Sequence, residues 1–200
     1  AVEEELESVW GINAQVIEGE LEANRSGRTI ISNGEASTVR DGTVFIRNDA
    51  RLSSQDIAGH EGYHAKRRKG SVLAQQYYEA VTDGNINFSN PKVLEILDGL
   101  GEAYLANDDY FSEANTNRIM EELAAYLSGW LNEDAAGTLI KRAGWFNDAD
   151  TVYAAWQAMR NENSQAQRET TLYTGETNPK DELDVDTSLE EDSQNINGFL

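Results

Sequence analysis

Both histidines of this 200-residue chain lie in one pentapeptide, His60-Glu61-Gly62-Tyr63-His64. In a helix, side chains four residues apart share a face, so the two imidazoles can bind one Zn²⁺ at about 2.0–2.1 Å. The carboxylate of Glu61, beside the first histidine, can accept a proton from a water that the metal activates and pass it to a leaving amine. The spacing therefore predicts a zinc site with His60 and His64 as ligands and Glu61 as general base.

The same pentapeptide also occurs by chance on solvated helices, so its surroundings matter. Here the chain has no histidine outside the motif, and an apolar Ile57-Ala58 step precedes it. The surrounding helix also contains Gly59 and Gly62, which together cost about 2 kcal/mol relative to alanine. We expect such a composition at a functional site rather than in a helix kept only for packing.

A catalytic zinc usually keeps three protein ligands and one water. The chain has neither a third histidine nor a cysteine, so the third ligand must be Asp or Glu. The metzincin pattern H-E-x-x-H-x-x-G-x-x-H is excluded, because Arg67 stands at the position of its glycine and Gly70 at the position of its third histidine.

Residues 121–127, Glu-Glu-Leu-Ala-Ala-Tyr-Leu, supply the candidate carboxylate. Together with the His60–His64 motif, this segment resembles the gluzincin branch of zinc metallopeptidases, in which a glutamate followed by x-x-Ala on a later helix completes the site. Both Glu122 and Glu121 fit that spacing. The apolar stripe of the helix, at positions 119, 120, 123 and 127, places Glu122 on the flank of the buried face and Glu121 nearer the solvent, which favours Glu122.

The resemblance covers about residues 40–130 and implies an endopeptidase that uses zinc and acts on a peptide or protein substrate. The layout is also similar to compact metallopeptidase domains inside large proteins of phages and conjugative elements. Thermolysin-like members have an aspartate four residues after the glutamate ligand, whereas this chain has Tyr126. A peptidase also needs an oxyanion donor besides zinc, and the candidates are four tyrosines: Tyr63, Tyr104, Tyr110 and Tyr126.

The pattern of elements predicts an α+β fold, with a small antiparallel or mixed N-terminal sheet followed by a mainly helical zincin-like domain. A short helix over 3–10 precedes strand-like runs at 14–21, 28–32 and 43–47, whose close spacing favours antiparallel pairing. Ser53 and Asp56 form a capping box that begins the helix of the zinc motif, with Gly70 as its stop. Further helices are expected at 72–81, 91–105, 113–131, 135–142 and 149–161.

Charge divides the chain into a domain over 1–160 and an acidic, extended or disordered tail or linker over 161–200, which has ten acidic and two basic residues. A formal net charge of −20 disfavours binding to nucleic acid or to anionic membranes. The basic run 66–69 is expected to compensate a helix C-terminus, with a dock for an acidic segment as the alternative.

The sequence favours a zinc endopeptidase, with two alternatives left open. One is a metal-bound or inactive zincin-fold interaction module of a larger mobile-element protein. The other is a module that trims its own parent chain. The start at Ala1, without a methionine or a leader segment, leads us to expect a mature form or an excised fragment. Neither the compartment nor the oligomeric state follows from the sequence.

Overall fold

The structure of the protein, a computed structural model, describes residues 2–17, 36–38, 42–104 and 112–163. The fold is mostly helical and broadly α+β, which confirms the predicted class. The strand expected at 28–32 and nearly all of the acidic segment lie outside the described residues, so both remain predictions.

Helices and strands follow one another in an order close to the predicted one. They are α1 (Val2–Glu5), which continues as a π-helical segment (Leu6–Trp10), then β1 (Ala14–Ile17), β2 (Ala36–Thr38), β3 (Val44–Arg47), α2 (Ser54–Arg68), α3 (Val72–Thr82), α4 (Pro91–Tyr104), α5 (Glu113–Glu133), α6 (Thr138–Ala143) and α7 (Ala149–Arg160). The six helices predicted after residue 52 are all present. Strand β2 was not predicted at its position.

Helix α2, which bears the zinc motif, begins and ends at the predicted signals. The Ser53 hydroxyl accepts a hydrogen bond from the backbone N–H of Asp56 at 3.0 Å. At the other end Gly70 adopts φ 73°, the left-handed region that favours glycine. The following amide, of Ser71, donates to the Lys66 carbonyl at 3.0 Å. These two caps fix the motif in the middle of the helix.

The small sheet has the order β1-β3-β2. Strand β3 pairs in parallel with β1 and antiparallel with β2, so the expectation of antiparallel pairing is wrong for β1 and β3. The reason is the length of the connection, because the 26 residues 18–43 between these strands provide the crossover that a parallel pair needs. The shorter link between β2 and β3 permits a hairpin.

The core that positions the site lies between the sheet, the π-helical segment and α2. Val44 and Ile46 of β3 are buried, and Trp10 is 1% exposed. Strand β2 lies against α2, which places one edge of the sheet beside the helix that carries His60 and His64. Among the described helices, none is long and apolar enough to cross a membrane.

Candidate metal centre

Helices α2 and α5 share the most extensive contact of any helix pair in the described structure and run antiparallel. The Asn132 amide of α5 donates to the Gln55 carbonyl near the start of α2 at 2.7 Å. One turn further on, the Ser128 hydroxyl donates to the Gly59 carbonyl at 2.7 Å. Since later residues of α2 meet earlier residues of α5, the zinc motif comes opposite residues 121–126.

Two glycines of α2 permit close packing on two sides of the helix. A Cβ at Gly59 would lie 2.5 Å from the Ser128 carbonyl oxygen and 2.9 Å from the Cα of Gly129, both in α5. A Cβ at Gly62 would lie 2.6 Å from the ring of Trp10, in the π-helical segment. The expectation that these glycines argue against a packing role is therefore wrong, because close packing is their direct physical reason. At Gly59, that packing brings α5 close to the helix of the histidines.

Three side chains converge at this crossing. The Nε2 atoms of His60 and His64 are 3.2 Å apart. Carboxylate oxygens of Glu122 lie 3.7 Å from Nε2 of His60 and 3.5 Å from Nε2 of His64. All three residues are buried, with 1–4% of their surface exposed. The structure thus brings together the three residues that the sequence singles out as metal ligands.

The donor set and its spacing fit a zinc ion. Two imidazole nitrogens and one carboxylate oxygen are a common ligand set of catalytic zinc sites. For ligands at about 2.0–2.2 Å from a tetrahedral ion, neighbouring donor atoms are about 3.3–3.6 Å apart. The three distances above lie close to that range, so the donors would have to move little to bind an ion.

Burial also prepares the histidines for this role. Loss of hydration lowers the pKa of His60 well below its ordinary value, and the charge of a protonated His64 would lower it further. A neutral imidazole has a lone pair available for a metal, whereas an imidazolium must first lose its proton. A cation bound here would also offset the cost of burying the Glu122 carboxylate among neutral rings.

The neighbouring Glu121 has a different partner. Its two carboxylate oxygens accept hydrogen bonds from Nε and Nη2 of Arg67 at 2.8 and 3.1 Å. Burial alone would lower the pKa of Arg67, but the hydrogen bonds and charge of Glu121, together with the contribution of Tyr63, outweigh it and raise the pKa. The two glutamates are thus separated by their contacts: Glu122 faces the histidines, and Glu121 links α5 to the end of α2.

Glu61 follows His60 on α2 and is 1% exposed. One residue corresponds to about 100° around a helix, so its side chain leaves α2 on a face adjacent to that of His60. Glu61 thus adjoins His60 along α2 and is buried, and its role as a base remains a prediction.

Tyr126 makes a contact that the sequence did not reveal. Its ring meets the His60 ring edge to face, with centroids 4.6 Å apart and planes at 75°. It lies one helical turn after Glu122, at the position where thermolysin-like peptidases have an aspartate, and that spacing was the available signal. Tyr126 therefore supports the ring of His60 through packing.

The other tyrosine candidates are less well placed or lie outside the described side chains. Tyr63 is fully buried, and its ring packs against Tyr77 with centroids 5.4 Å apart. Burial, with the negative charge of Glu121, raises the pKa of Tyr63 well above its ordinary value. The side chains of Tyr104 and Tyr110 are not among those described.

The basic run 66–69 forms internal ion pairs. Lys66 Nζ lies 2.9 Å from a carboxylate oxygen of Glu162, just after α7, and Arg67 binds Glu121. Arg67 thus links α2 to α5, whereas Lys66 binds Glu162 at the start of the acidic segment 161–200. The second contact is of the kind that a dock for an acidic segment would make, so compensation of the helix C-terminus and the dock both stay predictions.

Comparisons with protein-family models, curated proteins and solved structures found no match to this chain. The resemblance to zinc metallopeptidases therefore rests on the residues and geometry of this site.

Proposed function

We propose that this protein is a zinc-dependent peptidase of the gluzincin type, in which His60, His64 and Glu122 hold the metal. The observation that carries the proposal is the convergence of two imidazoles and one carboxylate within 3.2–3.7 Å at the α2–α5 crossing. An arbitrary helix pair has no reason to bury these three polar groups together.

In this proposal, Glu61 is the general base and Tyr126 stabilises the oxyanion. A zinc ion bound at this site would polarise the carbonyl of the scissile peptide bond and lower the pKa of a water. Glu61 would take a proton from that water and deliver it to the leaving amine. Tyr126, in contact with His60 and half-buried, is the best-placed described tyrosine to donate a hydrogen bond to the developing oxyanion.

The sheet offers a way to hold the substrate. Strand β2 is at one edge of the described sheet and lies against α2. An extended peptide that added to this edge would run past the helix that carries the zinc motif. We propose an endopeptidase on this basis, with a peptide or protein substrate.

One observation favours a second function, a metal-binding interaction module without turnover. The exposed fractions of His60, His64, Glu61 and Glu122 are 1–4%, which is low for groups that must reach a substrate. In that case zinc would stabilise the α2–α5 pair, as structural zinc does in small domains. The presence of Glu61 favours the enzyme, since a module that only binds metal has no need of a base there.

Metal analysis and a proteolysis assay distinguish these functions. The purified protein is expected to bind about one zinc per chain, and the zinc-loaded protein to cleave denatured protein substrates. Glu61→Gln should keep the zinc and lose cleavage, because the amide cannot accept the proton. Zinc binding without cleavage by the wild type would support the interaction module, and failure to bind zinc at neutral pH would exclude both functions.

A further inference from the structure

An apolar cavity of about 530 Å³ lies between α4, α5 and α6. This volume is in the range of sites that bind small molecules or large side chains. Most of its lining is apolar and includes Trp130 and Trp145, and the polar residues Lys92, Glu133 and Asp134 complete it. Such a site suits an apolar side chain on a peptide. The side chain can be buried in the cavity while the polar peptide backbone stays near the charged residues at its edge.

The two tryptophans give the cavity an aromatic wall. Their rings meet at 61° with centroids 5.5 Å apart, and both side chains are only partly buried. Leu139, at the cavity, is 64% exposed. A bound apolar side chain would cover these surfaces, and burial of an aromatic ring is favourable by its apolar area.

The cavity lies along the same face of α5 as the metal ligand. Glu122, Tyr126 and Trp130 are spaced four residues apart and so form one row on the helix. Tyr126, in the middle of this row, contacts His60, and its ring centroid is 6.3 Å from that of Trp130 at the end of the row. The two four-residue steps from Glu122 to Trp130 span about 12 Å along the helix axis. That distance equals three or four residues of extended peptide at about 3.3 Å each.

We propose that this cavity is a specificity pocket for an apolar, aromatic side chain of the peptide substrate, located three or four residues from the bond that is cleaved. The inference rests on the proposed peptidase function and adds the substrate class to it. The row lies on α5, and residues of α5 also line the cavity, so one helix sets the distance between the metal centre and the pocket.

The test fills the cavity and leaves the metal ligands intact. Ala143 lines the cavity, and Ala143→Phe would occupy it with a ring. Ala154, exposed on α7 and outside the lining, provides the matched control Ala154→Phe. Each protein, loaded with zinc, is given a peptide library in which each position is varied between Trp, Phe, Leu and Ala. Binding is measured separately with fluorescent peptides, after Glu61→Gln is added to each protein to prevent cleavage.

The wild type and Ala154→Phe are expected to prefer Trp or Phe at one position three or four residues from the cleaved bond, by at least tenfold in kcat/KM over Ala. Ala143→Phe should lose most of that preference, and the Glu61→Gln background should show the same loss as a tenfold rise in Kd for the aromatic peptide. Cleavage with equal preference in all three proteins would overturn the pocket but leave the peptidase proposal intact. Absence of cleavage by the wild type would contradict the peptidase proposal and this inference with it. A change in sedimentation of Ala143→Phe, with unaltered peptide preference, would identify the cavity as a contact between copies and also overturn the pocket.

Discussion

Replacement of Glu122 by glutamine tests the one proposed metal ligand that lies on a different helix from the two histidines. The substitution keeps the size of the side chain and replaces the carboxylate, one oxygen of which lies 3.5 Å from Nε2 of His64, with a neutral amide. Because the residue is 1% exposed, water cannot simply take its place without rearrangement of the crossing. The expected result is a loss of zinc affinity in a protein that still folds.

The size of that loss follows from the number of donors. Zinc sites in small protein domains are worth about 10–16 kcal/mol near neutral pH. If the three donors of this site share such a value in similar parts, the loss of the only anionic one removes on the order of 3 kcal/mol or more. This corresponds to at least about a hundredfold weaker zinc binding.

Glu121→Gln is the matched control, since it makes the same chemical change at the adjacent residue. It breaks the ion pair with Arg67, whose Nε lies 2.8 Å from the Glu121 carboxylate. That pair is partly exposed, so its loss is expected to lower the free energy of unfolding by about 1 kcal/mol or less, discounted for screening by solvent. Zinc affinity should change by no more than a few fold.

Competition with a chromophoric chelator measures the affinity of each variant, and thermal unfolding without metal reports on the fold. Wild-type zinc affinity in Glu122→Gln would refute the assignment of Glu122. A similar hundredfold loss in both variants would show that the register of α5 against α2 is not as described. The three-ligand site stands only if the two glutamates behave differently.

Three further predictions follow from the geometry. Gly59→Ala should lower the free energy of unfolding by about 2 kcal/mol or more, measured in urea, because its Cβ would lie 2.5 Å from the Ser128 carbonyl oxygen; a gain in stability would contradict the close packing. Tyr126→Phe keeps the ring against His60, so zinc affinity should be unchanged while kcat falls at least tenfold; an unchanged kcat would exclude the hydroxyl from catalysis. Zinc at 100 times its Kd should raise the thermal midpoint by about 5–10 °C, and a chelator should reverse this; no shift would mean that zinc does not bind the folded chain preferentially.

Much of the helical part of the fold could be predicted because its signals are local. Ser53 caps α2 as its sequence indicates, and Gly70 ends the helix in the left-handed conformation. The pairing of β1 with β3 could not be predicted in the same way. Strand direction depends on the path of a long connection, and single-sequence patterns do not encode that path.

In the candidate site, too, the features that depend on local sequence could be predicted, and those that depend on the packing of distant helices could not. The shared face of His60 and His64 follows from the helical repeat alone, so the sequence was sufficient for it. The choice between Glu121 and Glu122 required the position of another helix, and only the apolar stripe gave a partial answer. The contact of Tyr126 with His60 depends on the rotation of α5 about its axis to within a fraction of a turn, which no local pattern specifies.

Gly59 shows how the packing of two helices controls the geometry of the candidate metal site. Gly59 lets α5 approach so closely that the Ser128 hydroxyl reaches its carbonyl at 2.7 Å, and this approach sets the depth at which Glu122 meets the histidines. Any side chain at position 59 would push α5 outwards, and a shift of 1 Å is large compared with the tolerance of a zinc–ligand bond. Zinc affinity should therefore respond to the packing of α2 against α5, although neither Gly59 nor Ser128 offers a side-chain ligand to the metal.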